Sequence, residues 1–227
     1  MRLTRVILSI FFFACFLRVV AQEASKDSSV VRASKDLGLY VGAVYSLNQM
    51  SAGSYRIGTF ESEPDLKNSP GILTGFCYNF YAGKRFIVRP AVEAVFLPTR
   101  IDYPTEDNYI REQRIFPLTV EFPVSVIFSS FRTKSFPRPK AKPEWGVSAR
   151  PVITVKPFND LEPSLKTYNF NSDVFIGYPF SNDKTVTRLE LFYSYGWLNL
   201  MGEGTDYRTT SIQCLYRNTA GVRLIFH

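Results

Sequence analysis

Beyond the first few dozen residues, apolar and polar side chains alternate with a period of two in stretches of about ten residues. Eight such stretches stand out, at 38–47, 71–80, 85–97, 114–128, 144–155, 168–179, 185–197 and 216–226. In the fourth, Phe116, Leu118, Val120, Phe122, Val124, Val126 and Phe128 share a face, opposed by Pro117, Thr119, Glu121, Pro123, Ser125 and Ile127. In the third, Phe86, Val88, Pro90, Val92, Ala94 and Phe96 oppose Arg89 and Glu93. In the fifth, Trp145, Val147, Ala149, Pro151, Ile153 and Val155 oppose Ser148, Arg150, Thr154 and Lys156. In the seventh, Leu189, Leu191, Tyr193, Tyr195 and Trp197 oppose Arg188, Glu190 and Ser194. In the last, Ala220, Val222, Leu224 and Phe226 oppose Gly221 and Arg223. The pattern predicts eight strands. Pro90, Pro117, Pro123 and Pro151 each remove a ladder donor, so bulges or strand ends are expected near them.

Alternation does not say which face is outside. A soluble sandwich buries its apolar face, whereas a membrane barrel turns it to lipid. Three features favour the membrane. The N-terminus reads as a secretory signal: Arg2 and Arg5, an apolar stretch from Val6 to Leu17, and Val19-Val20-Ala21 before a cut expected after Ala21. A lipoprotein reading at Cys15 fits poorly with Phe12 and Phe13. Aromatics gather at strand ends, with Phe86 and Trp145 at one rim and Phe96 and Trp197 at the other. Opposite charges lie deep in the polar faces. Arg89, Glu93, Glu121, Arg150, Arg188, Glu190 and Arg223 are expected to pair across a lumen that side chains can fill. The expected fold is therefore all-β: an eight-stranded antiparallel up-and-down transmembrane barrel over 38–227, after a signal at 1–21 and a periplasmic segment at 22–37.

Connection lengths fit that topology. The first, third, fifth and seventh, at 48–70, 98–113, 156–167 and 198–215, are long and expected outside the cell. Turns 81–84 and 180–184 are short, and 129–143 is the exception. That basic, proline-rich segment, with Arg132, Lys134, Arg138, Lys140 and Lys142, either docks an acidic partner or stays solvated. Loop 48–70 is read as an exposed, variable loop.

The chain of 227 residues is 45% hydrophobic and 15% aromatic, which excludes a disordered chain and favours strands. Its net charge of +7 comes with no nucleic-acid motif, so no nucleic-acid partner is expected. The single histidine, His227, excludes a Ser-His-Asp triad and a multi-histidine metal site. Glu93 with Glu121, or Glu190 with Asp173, forms a candidate carboxylate pair, but such groups more simply satisfy lumenal arginines. No catalytic, cofactor-binding or metal residue is assigned, and no enzyme activity or cofactor is expected. Cys77 is placed inward and Cys214 outward on strands that are not neighbours, so both are expected as free thiols.

The stretch Phe116-Pro-Leu-Thr-Val-Glu121-Phe-Pro-Val124 resembles the Leu-Glu-Leu-Pro strand of Bacteroidetes outer-membrane barrels of the PorT type, and the basic turn from Arg132 resembles the segment after that strand. Arg188-Leu-Glu190-Leu-Phe-Tyr-Ser-Tyr-Gly196-Trp-Leu-Asn199-Leu200 is similar to a late strand of that family, as is Arg217-Asn218 before the final strand. The proline-rich stretch 136–143 and the terminal His227 depart from the family pattern. The resemblance implies a non-catalytic part in assembling or supporting type IX protein secretion, which is linked to gliding. Partners are then other secretion-machinery proteins, outer-membrane lipid and, during biogenesis, the barrel-assembly machinery, for which Phe226 beside the C-terminus is a suitable signal. The alternative is a generic small outer-membrane barrel for adhesion or envelope stability, working through its outer loops. A membrane-embedded enzyme and a soluble lipocalin-like barrel are further rivals.

Overall fold

The computed structural model describes residues 36–57, 60–82, 86–104, 110–115, 118–129, 143–155, 166–181, 186–201 and 211–227. The expected signal, the 22–35 segment, Phe116 and Pro117, and the basic residues Arg132, Lys134, Arg138, Lys140 and Lys142 lie outside the described residues. The strands in chain order are β1 (Asp36–Ser46), β2 (Gln49–Ala52), β3 (Tyr55–Ile57), β4 (Phe60–Ser62), β5 (Asp65–Lys67), β6 (Pro70–Ala82), β7 (Phe86–Phe96) and β8 (Thr99–Pro104). They continue with β9 (Ile110–Ile115), β10 (Leu118–Glu121), β11 (Val124–Phe128), β12 (Glu144–Val155), β13 (Tyr168–Ser181), β14 (Val186–Gly196), β15 (Ile212–Tyr216) and β16 (Thr219–Phe226).

Nine of these form one antiparallel sheet that closes on itself. Its order is β1, β6, β7, β10 with β11, β12, β13, β14, β16, and β16 pairs back onto β1. Because β10 and β11 are two halves of one staircase position, the sheet is a closed eight-stranded barrel. Closure leaves no sheet edge, which is what a strand needs in hydrocarbon.

The sequence alternation becomes an inside and an outside. On β12, Trp145, Pro151, Ile153 and Val155 are exposed while Glu144, Ser148, Arg150, Val152 and Thr154 are buried. On β13, Val174, Ile176 and Tyr178 are exposed while Asn171, Asp173 and Phe175 are buried. The outer wall thus carries Leu39, Phe76, Val92, Trp145, Ile176, Leu191 and Leu224, and the charges point inward. This is the reverse of a soluble core. At the end bearing the short connections, Phe86, Phe128 and Trp145 form a ring-to-ring cluster with centroids 5.7 and 5.4 Å apart. At the other end Tyr195 packs edge-on against Trp197, whose indole N–H donates to Ser172 Oγ at 2.8 Å. Two aromatic rims around an apolar wall make this a membrane-spanning barrel of the outer-membrane type.

The prolines interrupt the ladder without shifting it. The β6–β7 pairing runs to Cys77↔Ala91 and resumes at Phe80↔Val88 in the same register, skipping the two rungs of Pro90 and Arg89. β10 stops before Phe122-Pro123 and β11 resumes after it, yet Glu121↔Glu93 and Val124↔Pro90 keep one register. The carbonyls are still used: Ala91 N–H donates to Pro123 C=O and Phe122 N–H to Pro151 C=O, both at 2.9 Å. A missing N–H removes one bond; it inserts no residue, so no bulge forms here.

Two expectations need correction. Loop 48–70 is not simply a loop, since β2 to β5 lie within it. The fourth stretch, 114–128, takes in the end of β9 as well as β10 and β11, and the eighth, 216–226, starts on the last residue of β15 before β16. β9 pairs with β8, outside the barrel, before the chain enters it at β10, and β15 pairs with β2 before β16. These strands extend the barrel at its loop end and enclose a separate apolar core of Ile101, Tyr103, Leu200, Met201, Ile212 and Leu215, with Met50 and Leu66 against it. Asn199 ties the covering segment down, its Oδ1 accepting from Met201 N–H at 3.1 Å and Leu215 N–H at 2.9 Å.

Candidate functional site: a charged lumen

Inside the barrel each strand contributes polar groups at alternate positions, and burial forces them to pair. All seven residues expected in the lumen are there and buried: Arg89, Glu93, Glu121, Arg150, Arg188, Glu190 and Arg223. Asp173, a candidate only for a carboxylate pair from the sequence, joins them, as do Glu144 and Arg217, which alternation does not single out. These three complete, among the described residues, a set of five arginines and five carboxylates. The described lumen is therefore charge-balanced.

Arg150 is the hub. Its Nη1 meets both Glu93 and Glu121, the latter at 2.7 Å, while its Nε donates to the two oxygens of Asp173 at 3.1 and 2.9 Å. Glu93 and Glu121 face each other in register across β7 and β10, where two like charges would repel. The guanidinium between them removes that conflict, so the candidate carboxylate pair is bound into a structural network. Glu190 and Asp173, the other candidate pair, are held by different arginines.

The remaining arginines cross the lumen. Arg89 on β7 makes a two-pronged contact with Glu190 on β14, at 2.7 and 2.8 Å. Those strands are four apart in a ring of eight, so this pair spans the diameter. Arg217, just before β16, reaches β10, again four strands away, and binds Glu121 and Thr119 Oγ1 at 2.9 Å each. Arg223 joins Glu190 at 2.7 Å and Glu93 at 3.0 Å. The result is one chain of contacts from Arg89 through Glu190, Arg223, Glu93, Arg150 and Glu121 to Arg217. Arg188 stands apart, paired with Glu144 at 2.8 Å.

Rings fill what the charges leave. Phe175 and Phe192, cross-strand neighbours, lie 5.3 and 5.2 Å from the Arg223 guanidinium. Such contacts suit a planar, weakly hydrated cation. Glycine on the adjoining strand makes room, since a Cβ on Gly146, paired with Phe175, would fall 2.4 Å from its ring and one on Gly221, paired with Phe192, 2.7 Å from its ring. Fully buried charge, short pairs and ring packing together leave the middle of the barrel a packed core.

Among the described residues, no group of three or more His, Cys, Asp and Glu is arranged to hold a metal ion. Cys77 is buried in the lumen, Cys214 lies on β15 outside the barrel, and both are free thiols.

No protein-family model matches the chain, and no characterised protein matches it in sequence. Several solved structures align with it. The outer membrane protein OprG from Pseudomonas aeruginosa aligns over 86% of this chain and 97% of its own, at 9% identity and a TM-score of 0.46. AlkL, an outer membrane protein determined in lipid bilayers, aligns over 84% and 88% at 10% identity and a TM-score of 0.34. The COG4313 outer membrane channel from Pseudomonas putida F1 aligns over 86% and 97% at 9% identity and a TM-score of 0.26.

Proposed function

We propose that this protein is a non-catalytic, non-conducting outer-membrane barrel whose working surface is the folded extension at its loop end, exposed outside the cell for adhesion or envelope stability. One observation carries the reading: ion pairs between opposite strands, Arg89 with Glu190 and Arg217 with Glu121, occupy the space a pore would need. The extension has its own apolar core and a charged outer face, where Arg100 pairs with Asp102 and, at 2.7 Å, with Glu112. A loop that builds a core is suited to present a fixed surface. The test replaces β2 to β5 and β8 to β9 with short turns in cells. Loss of adhesion or of envelope integrity, with barrel levels unchanged, is the expected result. Unchanged cells would overturn it.

A second reading rests on the resemblance of Phe116–Val124 and Arg188–Leu200 to PorT-type strands: support of type IX secretion, in a Bacteroidetes host and linked to gliding. Exported cargo would not pass through this lumen, so the role would be assembly or support. The basic residues Arg132, Lys134, Arg138, Lys140 and Lys142 would then face partners of the machinery. Deletion of the gene should trap many normally exported proteins in the periplasm, reversed by complementation. Normal release would leave the first reading alone. Charge reversal at Arg132, Lys134 and Arg138 should reduce partner recovery while the barrel persists.

A further inference from the structure

The charges of the extension are set out in a way that its own sheet does not reward. β5, β8 and β9 form a three-stranded sheet, with Leu66 and Ile101 turned into the extension's core. Asp65 and Lys67 on β5, Arg100 and Asp102 on β8, and Glu112 on β9 fall on the other face, because alternate residues of a strand share a side. In register, Asp65 stands opposite Asp102, Asp102 opposite Glu112, and Lys67 opposite Arg100. Each of these neighbours is alike in sign. Opposite charges placed directly across strands stabilise a sheet, and like charges destabilise it.

The face therefore carries two parallel rows about 7 Å apart, the spacing of alternate residues. The acidic row is Asp65, Asp102 and Glu112. The basic row holds Lys67 and Arg100, and the backbone register puts Arg114 opposite Arg100. Contacts between the rows offset part of the repulsion. Lys67 reaches Asp65 along its own strand, and Arg100 reaches Asp102 at 3.0 Å and Glu112 at 2.7 Å. The side chains of Asp65 and Lys67 are nevertheless 59% and 53% exposed, and those of Arg100 and Glu112 37% each.

Two such rows are complementary to themselves. A second copy, turned over about a two-fold axis that runs along the rungs between the rows, lays its basic row on the acidic row of the first. Each strand then meets its own counterpart, with Asp65 across from the partner's Lys67 and Asp102 across from the partner's Arg100. A two-fold contact uses the same patch on both copies, and a patch of one sign could not make one.

We propose that the charged face of the β5–β8–β9 sheet is a self-docking surface whose partner is a second copy of this chain. The inference rests on the reading of the extension as the working surface, and it names that surface's partner. Charge complementarity selects the occupant, since a polyanion would be repelled by the acidic row and a polycation by the basic one. The patch is three short strands wide, smaller than a standard stable interface, so the contact is weak, reversible and sensitive to salt.

The test is sedimentation of the purified full-length protein in detergent at two ionic strengths. At about 0.01 M salt, where charges act over about 30 Å, the protein should associate into dimers. At about 1 M, where they act over about 3 Å, it should be monomeric. Asp65→Lys and Lys67→Glu, both at exposed positions, should each weaken association at least about tenfold, because like charges then face across the contact. An equimolar mixture of the two variants should recover it, because each reversal then meets its complement. Heat-modifiable gel mobility and wild-type protease resistance of the extension establish that both variants are folded. A wild-type monomer at low salt, association indifferent to salt, association that survives both reversals, or folded variants that fail to recover on mixing would each overturn the proposal. Sedimentation reads the contact and the loop-replaced cells read its use, so either can fail without the other.

Discussion

Ile101 and Arg150 are both almost wholly buried, at 0% and 2% exposure, yet their surroundings are opposite. Ile101 sits in the extension among Tyr103, Leu200, Ile212 and Leu215, with the charges of Lys67, Arg100 and Glu112 turned to water. Arg150 sits in the barrel among carboxylates, with the hydrocarbon of Val147, Ile153 and Val155 turned outward. Both regions are built from antiparallel strands with period-two alternation. The solvent sets which face goes in. In the extension, burying apolar surface drives folding. In the barrel the wall already faces an apolar medium, so the interior is where unsatisfied polar groups would be costly. Its specificity comes from making every charge meet its partner.

Removing one side of a buried network should therefore hurt most. Arg150→Met leaves Asp173 without an arginine and Glu93 and Glu121 facing each other with only Arg223 and Arg217 to hold them, and we expect a loss of about 3–5 kcal/mol in urea unfolding from detergent or lipid. Replacing both members of a pair, Arg89→Met with Glu190→Leu, should cost far less than either single change, because no charge is left alone. A double change as damaging as Arg150→Met would break the claim that pairing, and not charge itself, holds the lumen.

On the lipid face, Ile176→Lys near mid-strand should cost about 2–4 kcal/mol, since a charge there faces hydrocarbon. The same substitution on the wet face of the extension should be close to neutral. In the extension's core, Ile101→Ala should cost about 2–4 kcal/mol, within the usual range for a buried isoleucine. That loss should appear as faster proteolysis of the 49–67, 99–115 and 199–216 regions, with the barrel still heat-modifiable. Loss of barrel folding would show that the two cores are one cooperative unit.

The smallest effect should come from the exposed pair. Asp65 hydrogen-bonds Lys67 and holds its ammonium pKa above the ordinary lysine value. The raised value means that any stabilisation is present below the ordinary lysine pKa and fades as pH rises through the higher one. Lys67→Gln should leave extension stability almost unchanged at neutral pH, and by strongly alkaline pH the difference should vanish.

Eight strand positions were legible in the sequence because a barrel wall separating lipid from charge imposes strict alternation. Observed ends fall within a few residues of the expected ones wherever alternation is strong, as for β12 at 144–155. The extension was less legible. Ile110–Ile115 reads Ile-Arg-Glu-Gln-Arg-Ile, with four polar residues in a row, so its alternation merges into the stretch that follows. Period two put Arg89, Glu93, Glu121, Arg150, Arg188, Glu190 and Arg223 on the polar faces, and the signal, the aromatic rims and the opposite charges turned those faces inward. Their partners did not, because pairing across a diameter depends on strand order and side-chain reach. Arg217 shows the limit: it lies in the break before β16 with the parity of Gly221 and Arg223, but its reach across to Glu121 is set by three dimensions.

The central claim is that cross-lumen ion pairs close this barrel. Its most direct test is ion conductance of the purified protein reconstituted into a planar lipid bilayer at neutral pH, with folding confirmed by gel mobility. The account predicts no unitary conductance steps. Steady ohmic steps from the folded wild-type protein would contradict it.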